Sequence, residues 1–83
     1  MLDASRWSPA APALSADFAS LTPREFEVAC AIVDGLTNDE IAERFFLTNS
    51  TVKAHINRIL RKMNARDRVE VVVRGYRAGL AAT

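Results

Sequence analysis

From Thr22 to Leu80 the apolar residues recur at the three- and four-residue steps of a helix face, interrupted by polar caps and glycines. Thr22-Pro23-Arg24-Glu25 reads as a capping box with proline at the first helical position: the threonine oxygen accepts the backbone N–H of Glu25, whose side chain reaches back. Val28, Ala29, Ile32 and Leu36 follow as a stripe, and Gly35 is a left-handed stop, which predicts a first helix over 23–34. Thr37-Asn38-Asp39-Glu40 repeats the box, and Ile41, Ala42 and Phe45 form the stripe of a short second helix ending near Phe45. Phe46-Leu47 then makes a tight apolar corner. Thr48 or Ser50 caps a third helix over 49–64, with Val52, Ile56, Ile59, Leu60 and Met63 on its inner face. Asp67 opens a fourth, striped by Val69, Val72, Val73 and Tyr76 and closed by Gly79. Val71-Val72-Val73 has strand propensity, but its short run between a cap and Gly75 or Gly79 favours helix. The expected fold class is all-α, four helices joined by short connections.

Residues 1–20 lack this periodicity and hold Pro9, Pro12 and many Ala and Ser, as a linker or arm does; 21–83 form the helical domain. Phe18 and Leu21 lie near enough to cap the first helix's apolar face, and Trp7 is a second aromatic with a chance of docking on it.

Length and composition narrow the function classes. Eighty-three residues make one small core and leave no room for a large enclosed active site. No nucleophile–base pair or phosphate loop is present, so an enzyme is not expected. One cysteine and one histidine cannot build a zinc cluster, and no cofactor is expected. Cys30 reads as a small apolar helix residue, and His55 as a packed or phosphate-facing side chain rather than a catalyst. With no apolar run of about 18 residues and no signal sequence, no membrane contact and a cytoplasmic location are expected.

The net charge of +1 conceals a segregation. Leu21 to Leu47 carries six acids against two bases, whereas Asn49 to Arg66 carries five bases and no acid. A basic element in a near-neutral domain is an electrostatic footprint for nucleic acid. The second helix, the corner and the third helix together make a helix-turn-helix, in which the third would enter the major groove. Its inner positions turn Lys53, Ala54, Asn57, Arg58 and Arg61 outward.

Leu21-Thr22-Pro23-Arg24-Glu25, Gly35-Leu36-Thr37-Asn38-Asp39-Glu40-Ile41-Ala42, Thr51-Val52-Lys53-Ala54-His55-Ile56, Leu60-Arg61-Lys62-Met63 and Arg68-Val69-Glu70 together resemble the LuxR/GerE-type effector domain, also found in NarL/FixJ response regulators. The resemblance implies sequence-specific binding of double-stranded DNA and transcriptional regulation. It assigns base reading to Lys53, Ala54 and Asn57, through guanine O6/N7, the thymine methyl and adenine respectively. It assigns phosphates to Thr37, Asn38, Ser50, Thr51, Arg58 and Arg61. For Arg58 and Arg61 the alternative is an ion pair with the acids of the first two helices, and Arg24 and Glu25 are expected to buttress helix junctions. A homodimer through Val69, Val72, Val73 and Tyr76 of the fourth helix is implied, with RNA polymerase as a further partner of a regulator.

Such domains usually hang from a receiver or ligand-binding domain, and residues 1–20 fit the joining linker. A stand-alone GerE-like regulator, and a helical protein-interaction module without DNA, are the alternatives. The first helix departs from the pattern by Ala29-Cys30-Ala31 in place of a leucine-rich stretch, so Phe26, Phe45 or Phe46 is expected to fill the volume.

Overall fold

The structure is a computed structural model that describes residues 18–80. Trp7, with residues 1–17 of the linker expected over 1–20, lies outside the described residues. Four helices follow in order: α1 Pro23–Val33, α2 Asn38–Phe45, α3 Asn49–Met63 and α4 Arg68–Arg77. The described residues contain no strand. Valines 71–73 are helical because Asp67 accepts the Glu70 N–H and starts α4 ahead of them.

Each start follows from local chemistry. Thr22 with Glu25, and Thr37 with Glu40, form complete capping boxes, and Thr48 accepts the Thr51 N–H at 3.1 Å. The ends share one device. Residues 35, 46, 64 and 79 are left-handed, and the N–H of the next residue returns to a carbonyl five positions back: Leu36 to Ala31, Leu47 to Ala42, Ala65 to Leu60, Leu80 to Gly75. Those four next residues are apolar and pack against the core, which seals each helix end. Gly35, Asn64 and Gly79 suit the left-handed region. Phe46, at φ 57°, does not.

The core joins Val28, Ala29, Ala31 and Ile32 of α1 to Ile41 of α2, Val52, Ile56, Ile59 and Met63 of α3, and Val71 of α4. Phe18 belongs to it, 3% exposed and edge-to-face with Phe26 at 6.1 Å between centroids. Phe26 and half-buried Phe45 pack against the same core. Phe46 does not: the left-handed cap swings it into solvent, 94% exposed. Phe45 lies instead under the Arg24 guanidinium, 5.1 Å from the ring centroid.

The expected α4 stripe is corrected in register. Val71 is fully buried, and the turn after it presents Gly75, whose missing side chain lets α4 lie on Val33 of α1. Val72 is half-buried, while Val69, Val73 and Tyr76 remain exposed. The connection is pinned by Arg74, which donates to the Met63 carbonyl at 2.7 Å and to that of Asn64 at 3.3 Å, placing a cation at the negative end of α3. Cys30 is half-buried, and burial raises its thiol pKa. Among the described residues no helix is long and apolar enough to cross a membrane.

Candidate nucleic-acid interface

A fifteen-residue α3 with Val52, Ile56, Ile59 and Met63 locked inward must present its opposite side to solvent. Two rows of side chains at four-residue steps run along that side. Lys53, Asn57 and Arg61 form the first; all are exposed, and none has a hydrogen-bond or ion-pair partner among the described residues. Ser50, Ala54, Arg58 and Lys62 form the second, and its far half turns toward α1.

There Glu25, 3% exposed, is the focus. Its Oε1 accepts the Thr22 N–H at 2.9 Å and Lys62 Nζ at 2.8 Å, while Oε2 lies 3.4 Å from Arg58 Nε. The Lys62 hydrogen bond and the Thr22 N–H hold this carboxyl at about 2, below its ordinary 4.5, against the opposing effect of burial. The expected buttress is therefore an ionised cross-link between α1 and α3. Of the two arginines with alternative readings, Arg58 stands in the ion-pair geometry, its Nη2 also 3.5 Å from His55 Nδ1, and Arg61 pairs with no acid of the described residues.

The other flank of the exposed face meets α2 and α4. Asn38, Lys53, Ile56, Asn57 and Arg68 line one shallow depression, which brings a residue assigned to phosphate beside two assigned to bases. Arg68 donates to the Asn38 Oδ1 and to the Leu36 carbonyl, so the first residue of α4 holds the first residue of α2. Asn49 Nδ2 donates to Asp39 Oδ1 at 2.8 Å, tying the start of α3 to the first turn of α2. Thr37 is occupied as a cap, and Thr51 Oγ1 accepts from the Thr48 hydroxyl at 3.0 Å. Sequence reasoning missed Lys62 and Arg68 as organisers of the site. Their partners lie 37 and 30 or more residues away, so neither leaves a local signal.

A short helix braced against a longer one is a helix-turn-helix arrangement, and the exposed face of the longer helix carries no acid. Residues 19–74 match the family of bacterial regulatory proteins, luxR family, and the chain belongs to that family. It is 48% identical over 58 residues to the transcriptional regulatory protein LiaR of Bacillus subtilis, a match covering 70% of this chain and 28% of LiaR. It is 46% identical over 57 residues to the nitrate/nitrite response regulator protein NarL of Escherichia coli, covering 69% of this chain and 26% of NarL. Full-length FixJ from B. japonicum superposes with a TM-score of 0.73 at 30% identity, over 95% of this chain and 39% of FixJ. The chain thus spans roughly a quarter of the length of LiaR and of NarL.

Proposed function

We propose that this chain binds double-stranded DNA sequence-specifically and regulates transcription, acting in the cytoplasm as the effector domain of a response regulator. The observation that carries this is the row Lys53-Asn57-Arg61 on the exposed side of α3, which has no partner among the described residues. Three donor side chains held on one face of a helix and unpaired among the described residues fit groove edges and phosphates. Lys53 and Asn57, with the Ala54 methyl, read bases. Arg61, Ser50 and Thr51 on α3, and Thr37 and Asn38 at the start of α2, face phosphates. Asp39 and Glu40 do not spoil that start: Asn49 and the Thr37 N–H engage them. Arg58 is left out of the phosphate set because Glu25 holds it.

The exposed face of α4, Val69, Val73 and Tyr76 with Val72 at its edge, supports a homodimer on paired half-sites. RNA polymerase is the further partner this role implies. The names of the relatives support response-regulator control.

A fluorescence-anisotropy titration of labelled random duplex at low salt, followed by selection of bound sites from random DNA, tests the reading. Micromolar binding that weakens steeply with salt and a selected consensus are expected. Absence of binding at micromolar protein would leave a protein-interaction module in its place.

A further inference from the structure

DNA of arbitrary sequence is gripped only through its phosphates, so affinity for it follows the number of cations free to displace counterions. At a cognate site, base contacts add to that grip. The affinity shared by every duplex therefore depends on how many cations the DNA-contacting helix leaves free, and α3 does not leave all of its own free. Lys53 and Arg61 have no partner among the described residues. Arg58 and Lys62 continue the row of exposed Ser50 and Ala54 and extend the same outward side toward its C-terminal end. Both converge on one carboxylate of α1, itself buried and anchored by the Thr22 N–H.

We propose that Glu25 limits sequence-independent DNA affinity by acting as an internal counter-anion, holding Lys62 and Arg58 so that two of the four cations of α3 are withheld from DNA phosphates. The proposal rests on the reading of α3 as the DNA-contacting helix. Geometry favours a lasting hold. Lys62 Nζ is 2.8 Å from Oε1, and the Glu25 side chain is only 4% exposed, so water screens the pair little on that side. Arg58, at 3.4 Å and 47% exposed, is the looser of the two. The carboxylate also sits in a capping box, which fixes its position independently of either cation. Glu25 is thus a positioning residue acting on DNA through two others.

The test is anisotropy titration of the full chain with random duplex and with a selected site, across a salt series. Glu25→Gln keeps the shape of the side chain and removes its charge. Its affinity for random duplex should rise at least threefold at about 0.1 M salt, and its salt slope should steepen by roughly one to two, at about 0.9 per added phosphate contact. Affinity for the selected site should rise by a similar factor, leaving the ratio of cognate to random affinity nearly unchanged. In the natural chain Lys62→Met should leave the random-duplex slope unchanged; in the Glu25→Gln chain it should reduce the slope by roughly one. A random-duplex slope that is unchanged or shallower in folded Glu25→Gln overturns the proposal, as does a drop of about one on Lys62→Met in the natural chain. Circular dichroism checks folding, and if Glu25→Gln alone unfolds, both chains are compared in a Phe46→Asn background, which relieves the strained cap of α2. Failure of the natural chain to bind random duplex overturns the DNA reading and this proposal together. Binding with the slope pattern reversed overturns this proposal alone.

Discussion

Gly75 of α4 lies so close to Val33 of α1 that a β-carbon on it would come within 2.2 Å of Val33 Cγ2. Gly75→Ala should therefore destabilise the domain although alanine is the better helix former by about 1 kcal/mol. The overpacking penalty of roughly 1–3 kcal/mol exceeds that gain where the two helices cannot part. A lower thermal midpoint by circular dichroism is expected, partly restored by adding Val33→Ala. An unchanged midpoint for Gly75→Ala would show that α4 can shift freely.

Phe46 should respond in the opposite sense. Its left-handed backbone costs roughly 1–2 kcal/mol for a residue with a β-carbon, and its ring, 94% exposed, returns little packing. Phe46→Gly relieves most of that, and Phe46→Asn part, so urea midpoints should rise with unchanged m-values. A fall on both substitutions would mean that the ring stabilises the domain after all.

The starts of α1 and α2 are legible because Thr22 with Glu25 and Thr37 with Glu40 act across three residues and need nothing distant, whereas that of α3 stays open between Thr48 and Ser50 until Thr48 is found to accept the Thr51 N–H. The inner register of α3 was readable from its own periodicity. On α4 three consecutive valines offer several faces, and only docking on Val33 selects Val71 and Gly75 as the inner one. The fate of Phe46 was equally hidden, since a left-handed residue at a helix end reverses the direction expected of an apolar corner. In the site, the outward direction of Lys53, Asn57 and Arg61 follows from the periodicity of α3, whereas the holding of Arg58 and Lys62 depends on how α1 packs across α3.

Acid should act through Glu25. Its pKa is about 2 in the folded chain against an ordinary 4.5, so the ionised carboxylate stabilises the fold fully above about pH 4.5. That contribution is lost as the pH falls through the window down to about 2. The difference in thermal midpoint between the natural chain and Glu25→Gln should be constant from pH 7 to 5 and shrink below pH 4.5. A difference that stays level to pH 2.5 would contradict the ion-pair assignment.

Lys53 and Arg61 share a row but should not share a phenotype. Lys53→Ala is expected to cost roughly 1–3 kcal/mol at a selected site and to relax one base position, while Arg61→Ala weakens cognate and random duplexes alike. Parallel titrations on both duplexes separate the two roles, and equal losses for both substitutions would erase the distinction.

The exposed α4 face should matter only to assembly. Val69→Asp, at a position 67% exposed, should leave the thermal midpoint nearly unchanged and reduce the two-protomer complex on a palindromic duplex in sedimentation. Two protomers bound undiminished would place the dimer contact elsewhere.

The half-buried thiol of Cys30 has a practical corollary. It is the chain's one cysteine, and because its pKa is raised it presents little thiolate near neutral pH, the form that maleimides attack. A second cysteine introduced by Phe46→Cys, on an exposed turn three residues before α3 begins, would be alkylated first. A fluorophore could then be mounted at the threshold of α3 with the native thiol left in place, to follow in real time the DNA approach proposed for that helix.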